Sequence, residues 1–176
     1  MCMKLKKYPD FVTTDELQEI QKILTKPRWR YKRFGGAQYF WWFEVLKEIK
    51  GDPVWLNECE DIWRTLYDRI LSTAGPKYVM YRYIINGQCM NQDSAIHTDF
   101  PKSMDDVTTW ILYLNNQSVQ GGHTVFYDDQ DQQIGTQEPV PGLAIEYDSR
   151  VRHQGLAPTN ANTMRTTLAL HGKYDK

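Results

Sequence analysis

The hydrophobic period of the chain changes near residue 77. Before that point apolar side chains recur at three- and four-residue intervals; after it they come in short β-prone runs. Leu17, Ile20, Ile23 and Leu24 mark one apolar helical face over roughly 14–25. Thr13 and Glu16 stand at capping-box spacing at its start, and Pro27 terminates it. Ile62, Trp63, Leu66, Ile70 and Leu71 predict a second helix, which begins near Asn57 and stops at Gly75-Pro76. Between the two lies an aromatic stretch, Trp29 to Phe34 and then Tyr39 to Phe43, broken by Gly35-Gly36. It reads as a hairpin or as a loop over a pocket, with the aromatic cluster serving as core.

From Tyr78 onward the pattern is that of an all-β sandwich or barrel. The expected strands are 78–85, 95–99, 107–114, 124–127, a weak 132–137, 143–147 and 165–171, with a further short one around 152–156. Turns at Asn86-Gly87, Gly121-Gly122, Pro141-Gly142 and Pro158 separate them. Helices supporting one sheet of a β-sandwich is the economical architecture. The fold class is therefore α+β, mainly β, in a single domain, with helical support and the aromatic segment in 1–76 and the β core in 77–176.

Composition narrows the function classes. The 176 residues are 41% hydrophobic and 24% charged, enough for one packed core. Twenty-one Lys and Arg against 22 Asp and Glu give a formal charge of −1, so no electrostatic excess exists to hold a phosphate backbone non-specifically. Nucleic acid is accordingly not an expected partner. No apolar run is long enough to span a membrane, and the residues after Met1 do not read as a signal peptide. Cys2, Cys59 and Cys89 are odd in number and widely spaced, forming neither a disulfide framework nor a CxxC site, which fits a reducing cytoplasm.

The candidate chemistry begins with His97-Thr98-Asp99. On a strand, side chains two apart share a face, so an imidazole and a carboxylate are offered to one point. His153, just beyond the run 143–147 and its polar turn, is the candidate third ligand. Two His and one carboxylate leave metal positions open, which suits non-haem Fe(II) that must bind a cosubstrate and O2 together. A closed zinc site would need a fourth protein ligand, and no Cys stands near these residues. An HxD pair alone is a weak signal; the order of the blocks around it is the stronger one. Tyr83-Ile84-Ile85-Asn86-Gly87-Gln88 precedes His97-Thr98-Asp99. There follow Thr109 to Asn115, Gly121-Gly122-His123-Thr124-Val125-Phe126, Pro139 to Gly142, His153-Gln154-Gly155 and Arg165-Thr166-Thr167.

In that order the blocks resemble the 2-oxoglutarate- and Fe(II)-dependent dioxygenases, particularly the prolyl 4-hydroxylase-like branch, over roughly Tyr78 to Lys173. The resemblance implies a double-stranded β-helix, or jelly roll, in which His97, Asp99 and His153 ligate iron. It implies that Arg165 pairs with the distal carboxylate of 2-oxoglutarate, with a hydroxyl from Thr167 and a phenol from Tyr113 beside it. Tyr83 or Tyr81 would supply a second phenol. It also implies Fe(II), 2-oxoglutarate, O2 and ascorbate as reductant, with succinate and CO2 released as an amino-acid residue, peptidyl proline first, is hydroxylated. The interval from His153 to Arg165 is longer than the family's usual one, and residues 157–164 read as a loop that absorbs the difference. Lys173 is the alternative anchor.

Other readings stay open. A jelly-roll module could bind a peptide, sugar or nucleotide without catalysis, and a hydrolase or isomerase could use the same two His and one carboxylate. An oxygenase of this kind could also act on a small metabolite or a nucleobase. His171 shares the inward face of the last strand with Arg165 and Thr167 and is expected to pack or to lie at the solvent edge. Asp128, Asp129 and Asp131 read as a solvated turn, and the patch Arg28, Arg30, Lys32 and Arg33 as a solvated strand edge. Selectivity is expected in 28–43, 86–94 and 100–106, the segments over the metal mouth.

Overall fold

A computed structural model of the chain describes residues 3–33, 39–46, 55 and 60–175. Two antiparallel sheets face each other. The strands in chain order are β1 (Lys6–Tyr8), β2 (Arg30–Arg33), β3 (Tyr39–Glu44), β4 (Tyr78–Gln88), β5 (Val107–Tyr113), β6 (Thr124–Tyr127), β7 (Gln133–Gln137), β8 (Ala144–Asp148), β9 (Arg152–Gly155) and β10 (Arg165–Tyr174). The larger sheet runs β1-β8-β5-β10-β4-β3-β2 and the smaller β7-β6-β9. This is the expected double-stranded β-helix with helical support.

Both described helices form for the reasons legible in sequence. In α1 (Thr14–Leu24) Thr13 Oγ1 accepts from the Glu16 amide at 3.3 Å, and the Glu16 carboxylate accepts from the Thr13 amide at 2.9 Å. Glu16 also pairs with Arg69 of α2 (Asp61–Ala74), tying the two helices together. Gly75 ends α2 with φ +98°, a conformation that favours glycine. Leu17, Ile20 and Ile23 of α1 and Ile62, Trp63, Leu66 and Ile70 of α2 pack into one core with the outer face of the larger sheet. Removing the cap in Thr13→Ala is expected to cost about 0.5–2 kcal/mol. A thermal melt reads this as a fall of about 2–4 °C per kcal/mol.

The aromatic segment takes the hairpin alternative rather than the loop: β2 and β3 pair with each other, and β3 pairs with β4, so they extend the larger sheet. Strands from the first 76 residues thus join the larger sheet on both sides, β1 on β8 and β3 on β4. Residues 95–99 form no continuous strand; a single bridge joins His97 to His153, with His97 N–H donating to His153 O at 3.0 Å and the reverse bond at 2.8 Å. The Gly35-Gly36 pair and the expected helix start at Asn57 lie outside the described residues.

Period-two alternation positions the site. Along β10, Leu168 and Leu170 face the helices, while Thr167, Ala169 and His171 face the interior between the sheets. Pairing of β10 with β4 and β5 places Arg82, His171 and Thr109 in one row and Asn86, Thr167 and Tyr113 in another.

Candidate metal and cosubstrate site

The inward faces of β4, β5, β8 and β10, covered by β6, β9 and the 94–99 segment, enclose a cavity of about 370 Å³. His97, Asp99 and His153 stand together on its wall, their donor atoms all within 4.8 Å of one another. The expected convergence of these three side chains is therefore present.

Each imidazole is oriented by its backbone. His97 Nδ1 lies 2.8 Å from Ala95 O and His153 Nδ1 lies 3.0 Å from Val151 O. A carbonyl can only accept, so each Nδ1 carries the proton and each Nε2 presents a lone pair, the tautomer that ligates a metal. Burial pulls the His153 pKa down to about 4, against the opposing pull of Asp99, so this imidazole is neutral at pH 7. The side chain of His97 is 44% exposed against 6% for His153, which puts the open side of the site at His97.

Asp99 is held from several directions. Its Oδ2 accepts from Thr109 Oγ1 at 2.6 Å, and Thr109 in turn meets Ser149 Oγ at 2.8 Å. Its backbone N–H donates to Ser149 O at 3.0 Å. Burial opposes the Asp99 charge, but the facing His171 and His153 rings and the bonds from His171 and Thr109 outweigh it. The carboxyl is held well below the usual range and is an anion whenever a cation arrives.

At the other end of the cavity Arg165 is 3% exposed. Its guanidinium donates to Gly122 O at 2.7 Å, Gln88 Oε1 at 2.7 Å and Thr124 Oγ1 at 3.0 Å, all neutral acceptors. Among the described residues no carboxylate lies within ion-pair distance of it. A buried cation without a counter-charge is costly, and an anion entering the cavity would meet that need. Gly122 makes this approach possible: at φ +69° it sits so close that a Cβ would come within 3.2 Å of Arg165 Cδ. Thr167 lines the same wall.

The tyrosines divide. Tyr113 lies beside Arg165, whose Cζ is 5.6 Å from its ring centroid, and its hydroxyl meets Thr124 Oγ1 at 2.8 Å and faces the guanidinium. Tyr83 is not in the site: its odd position on β4 turns it toward the helices, where its hydroxyl donates to Trp63 O at 2.7 Å. Tyr81 lies beside Phe100, with ring centroids 6.1 Å apart. The phenol that lines the cavity is Tyr147, which no sequence motif singles out. Its hydroxyl is buried without a hydrogen-bond partner among the described residues, and its ring meets His153 edge-on at 5.2 Å. The signal that could have found it is parity: Tyr147 is two residues beyond Ile145 on β8 and pairs in register with Thr109. His171, expected to pack or to reach solvent, is buried with Nε2 3.1 Å from Asp99 Oδ1.

The three donors fit a divalent iron, with each Nε2 free and the carboxylate ionised, and the buried Arg165 guanidinium fits a dicarboxylate cosubstrate. Residues 79–171, just over half of the chain, match the model of the 2OG-Fe(II) oxygenase superfamily, and the chain belongs to that family. No curated protein matches it by sequence. Among solved structures it resembles an oxidoreductase of the 2OG-Fe(II) oxygenase family from Burkholderia pseudomallei, at 17% identity and TM-score 0.75, covering 96% of this chain and 84% of that one. A prolyl-4-hydroxylase from Pseudomonas putida superposes at 14% identity and TM-score 0.64, covering 99% and 94%. The non-heme alpha ketoglutarate dependent epimerase SnoN from nogalamycin biosynthesis does so at 15% identity and TM-score 0.67, covering 98% and 77%. No described helix is long and apolar enough to cross a membrane.

Proposed function

We propose that this oxygenase is a hydroxylase acting on an amino-acid residue, with peptidyl proline as the first substrate class, and that His97, Asp99 and His153 are its iron ligands. The observation that carries the reading is the pairing of two features in one cavity: a set of three convergent donors, and a buried guanidinium with no carboxylate partner among the described residues. Ferrous iron bound there, with 2-oxoglutarate and O2, supplies the oxidation that inserts one oxygen atom into a C–H bond and releases succinate and CO2.

The protein's own part is geometry. His97 and His153 present Nε2 because their Nδ1 protons are tied to backbone carbonyls. Asp99 balances part of the metal charge. Arg165 and Thr167 take the distal carboxylate, with the planar guanidinium able to hold both oxygens at once. Tyr147, in place of Tyr83, is the phenol that borders the cosubstrate, and Tyr113 braces Thr124 and Arg165. Ascorbate serves as the reductant.

The test is direct. Fe(II) and 2-oxoglutarate added anaerobically are expected to give a visible metal-to-ligand charge-transfer absorption, and the spectrum of Fe(II) alone would overturn the cosubstrate assignment. Mass spectrometry of a peptide and metabolite panel then reads the substrate as a gain of one oxygen. Proline-containing peptides are the expected hits. Oxidation of small metabolites alone would replace the peptidyl reading with the second one, which the similar superposition of a small-molecule epimerase favours.

A further inference from the structure

His171 belongs to none of the sequence blocks that carry the ligands, yet with Thr109 it is a polar side chain of the cavity wall that touches one of the three donors from outside the set. It sits on the inward face of β10, is 6% exposed, and places Nε2 3.1 Å from Asp99 Oδ1. Thr109, its neighbour in register on β5, takes the other carboxylate oxygen at 2.6 Å. We propose that His171 is a positioning residue for Asp99, fixing with Thr109 the carboxylate orientation in which one ion can be shared with His97 and His153. The inference rests on the metal reading above.

Four observations support it. An ionised carboxylate only accepts, so the contact requires the proton on His171 Nε2. The other ring nitrogen, Nδ1, is buried with no hydrogen-bond partner among the described residues. An unpaired buried group costs about 1–3 kcal/mol, a cost that leucine or phenylalanine in the same space would not carry, so filling space does not account for an imidazole here.

The ring is also held in place. Phe100, adjacent to Asp99 in sequence, meets it edge-on with centroids 6.3 Å apart. The strand register shifts immediately after it, between His171 and Gly172, where a Cβ would come within 2.5 Å of the Tyr78 ring. A bulge beside a site re-aims the flanking side chain and holds the backbone there. Finally, His171 is not one of the three residues whose donor atoms lie within 4.8 Å of one another. It acts on the metal through Asp99 rather than as a fourth ligand.

The experiment is an Mn(II) titration of the 176-residue apoprotein, followed by loss of the free-ion electron paramagnetic resonance signal. It reads affinity without turnover. His171→Leu and His171→Asn both remove a donor able to reach Oδ1 and are expected to raise the Mn(II) Kd by about 10–100-fold, the usual effect of losing an outer-shell partner. His171→Gln, whose amide nitrogen can take the place of Nε2, is expected to stay within a few-fold of the parent. Thermal melts of the apoproteins identify any variant that fails to fold, and the remaining substitutions then decide. Affinity within twofold of the parent in the Leu and Asn variants would overturn the proposal, as would a Gln variant as weak as the Leu one. A parent protein that binds no Mn(II) would instead sink the metal reading, and this inference with it.

Discussion

Asp99→Ala is expected to abolish Mn(II) and Fe(II) binding and to reduce Fe(II)-dependent succinate formation to background while the protein stays folded. Asp99 is the only anionic donor of the three, so without it a divalent ion would face two neutral imidazoles and no compensating charge. The loss should exceed the roughly 10–100-fold typical of an outer-shell partner, because a ligand itself is removed. The fold should survive for a specific reason. Thr109 keeps Ser149 as a partner at 2.8 Å, so the substitution orphans chiefly the His171 Nε2 proton. Leaving one such group unpaired costs about 1–3 kcal/mol, less than the whole stability of a typical domain. Asp99→Asn, which keeps shape but not charge, should behave in the same way. Melting curves of the apoproteins, Mn(II) titration and succinate assays check the three parts of this prediction, and Fe(II)-dependent turnover in Asp99→Ala would refute the ligand assignment.

What is legible in the sequence is what depends on local pattern. The capping box at Thr13 and Glu16 and the apolar faces of α1 and α2 form as their spacing predicts, and strand 124–127 has its expected limits. The inward face of β10 follows from alternation, which is why Arg165, Thr167 and His171 group together on sequence alone. The HxD segment behaves differently. Its two side chains converge as an alternating strand would have them do, yet the backbone makes only one bridge, because its hydrogen bonds go to His153 on β9 and to Ser149 in the turn before that strand.

The misassigned tyrosines share one cause. Motif order points to Tyr83, but β4 turns odd positions from 83 onward toward the helices, and the Tyr83 hydroxyl meets Trp63. Tyr147 carries no motif, although its parity on β8 aims it at Thr109 and the cavity. Motif order picks out the three side chains whose donor atoms converge. It cannot say which aromatic side chain faces inward, because that depends on where each strand enters its sheet. The role of His171 is unreadable for another reason: its partner, Asp99, lies on a segment 72 residues away in sequence, and nothing local marks the contact.

Arg165 gives the second large effect. Arg165→Ala is expected to weaken 2-oxoglutarate binding by about 2–5 kcal/mol, the usual loss when one partner of a buried charge pair is truncated. At 1.4 kcal/mol for each tenfold, that is roughly a thirty- to four-thousand-fold rise in the 2-oxoglutarate requirement. Mn(II) affinity should stay near that of the parent, because no part of the guanidinium touches His97, Asp99 or His153. The stability effect has the opposite logic. In the apoprotein Arg165 is a buried cation among neutral acceptors, so Arg165→Met, which keeps much of the volume, removes a desolvation cost while leaving Gln88 and Gly122 without their donor. The two effects offset, and the apo melting temperature should move little. Saturating 2-oxoglutarate with Mn(II) should therefore stabilise the parent, by about 2.7 kcal/mol at one hundred times its Kd, but not the methionine variant. Lys173 cannot take over the anchoring role. It stands eight residues along β10, about 26 Å at strand spacing, and pairs there with Asp175 at 3.5 Å. An unchanged 2-oxoglutarate requirement in Arg165→Ala would thus leave the distal carboxylate to the neutral hydroxyls around Thr167 and Tyr147, and the charge-pairing account of the cavity floor would fail.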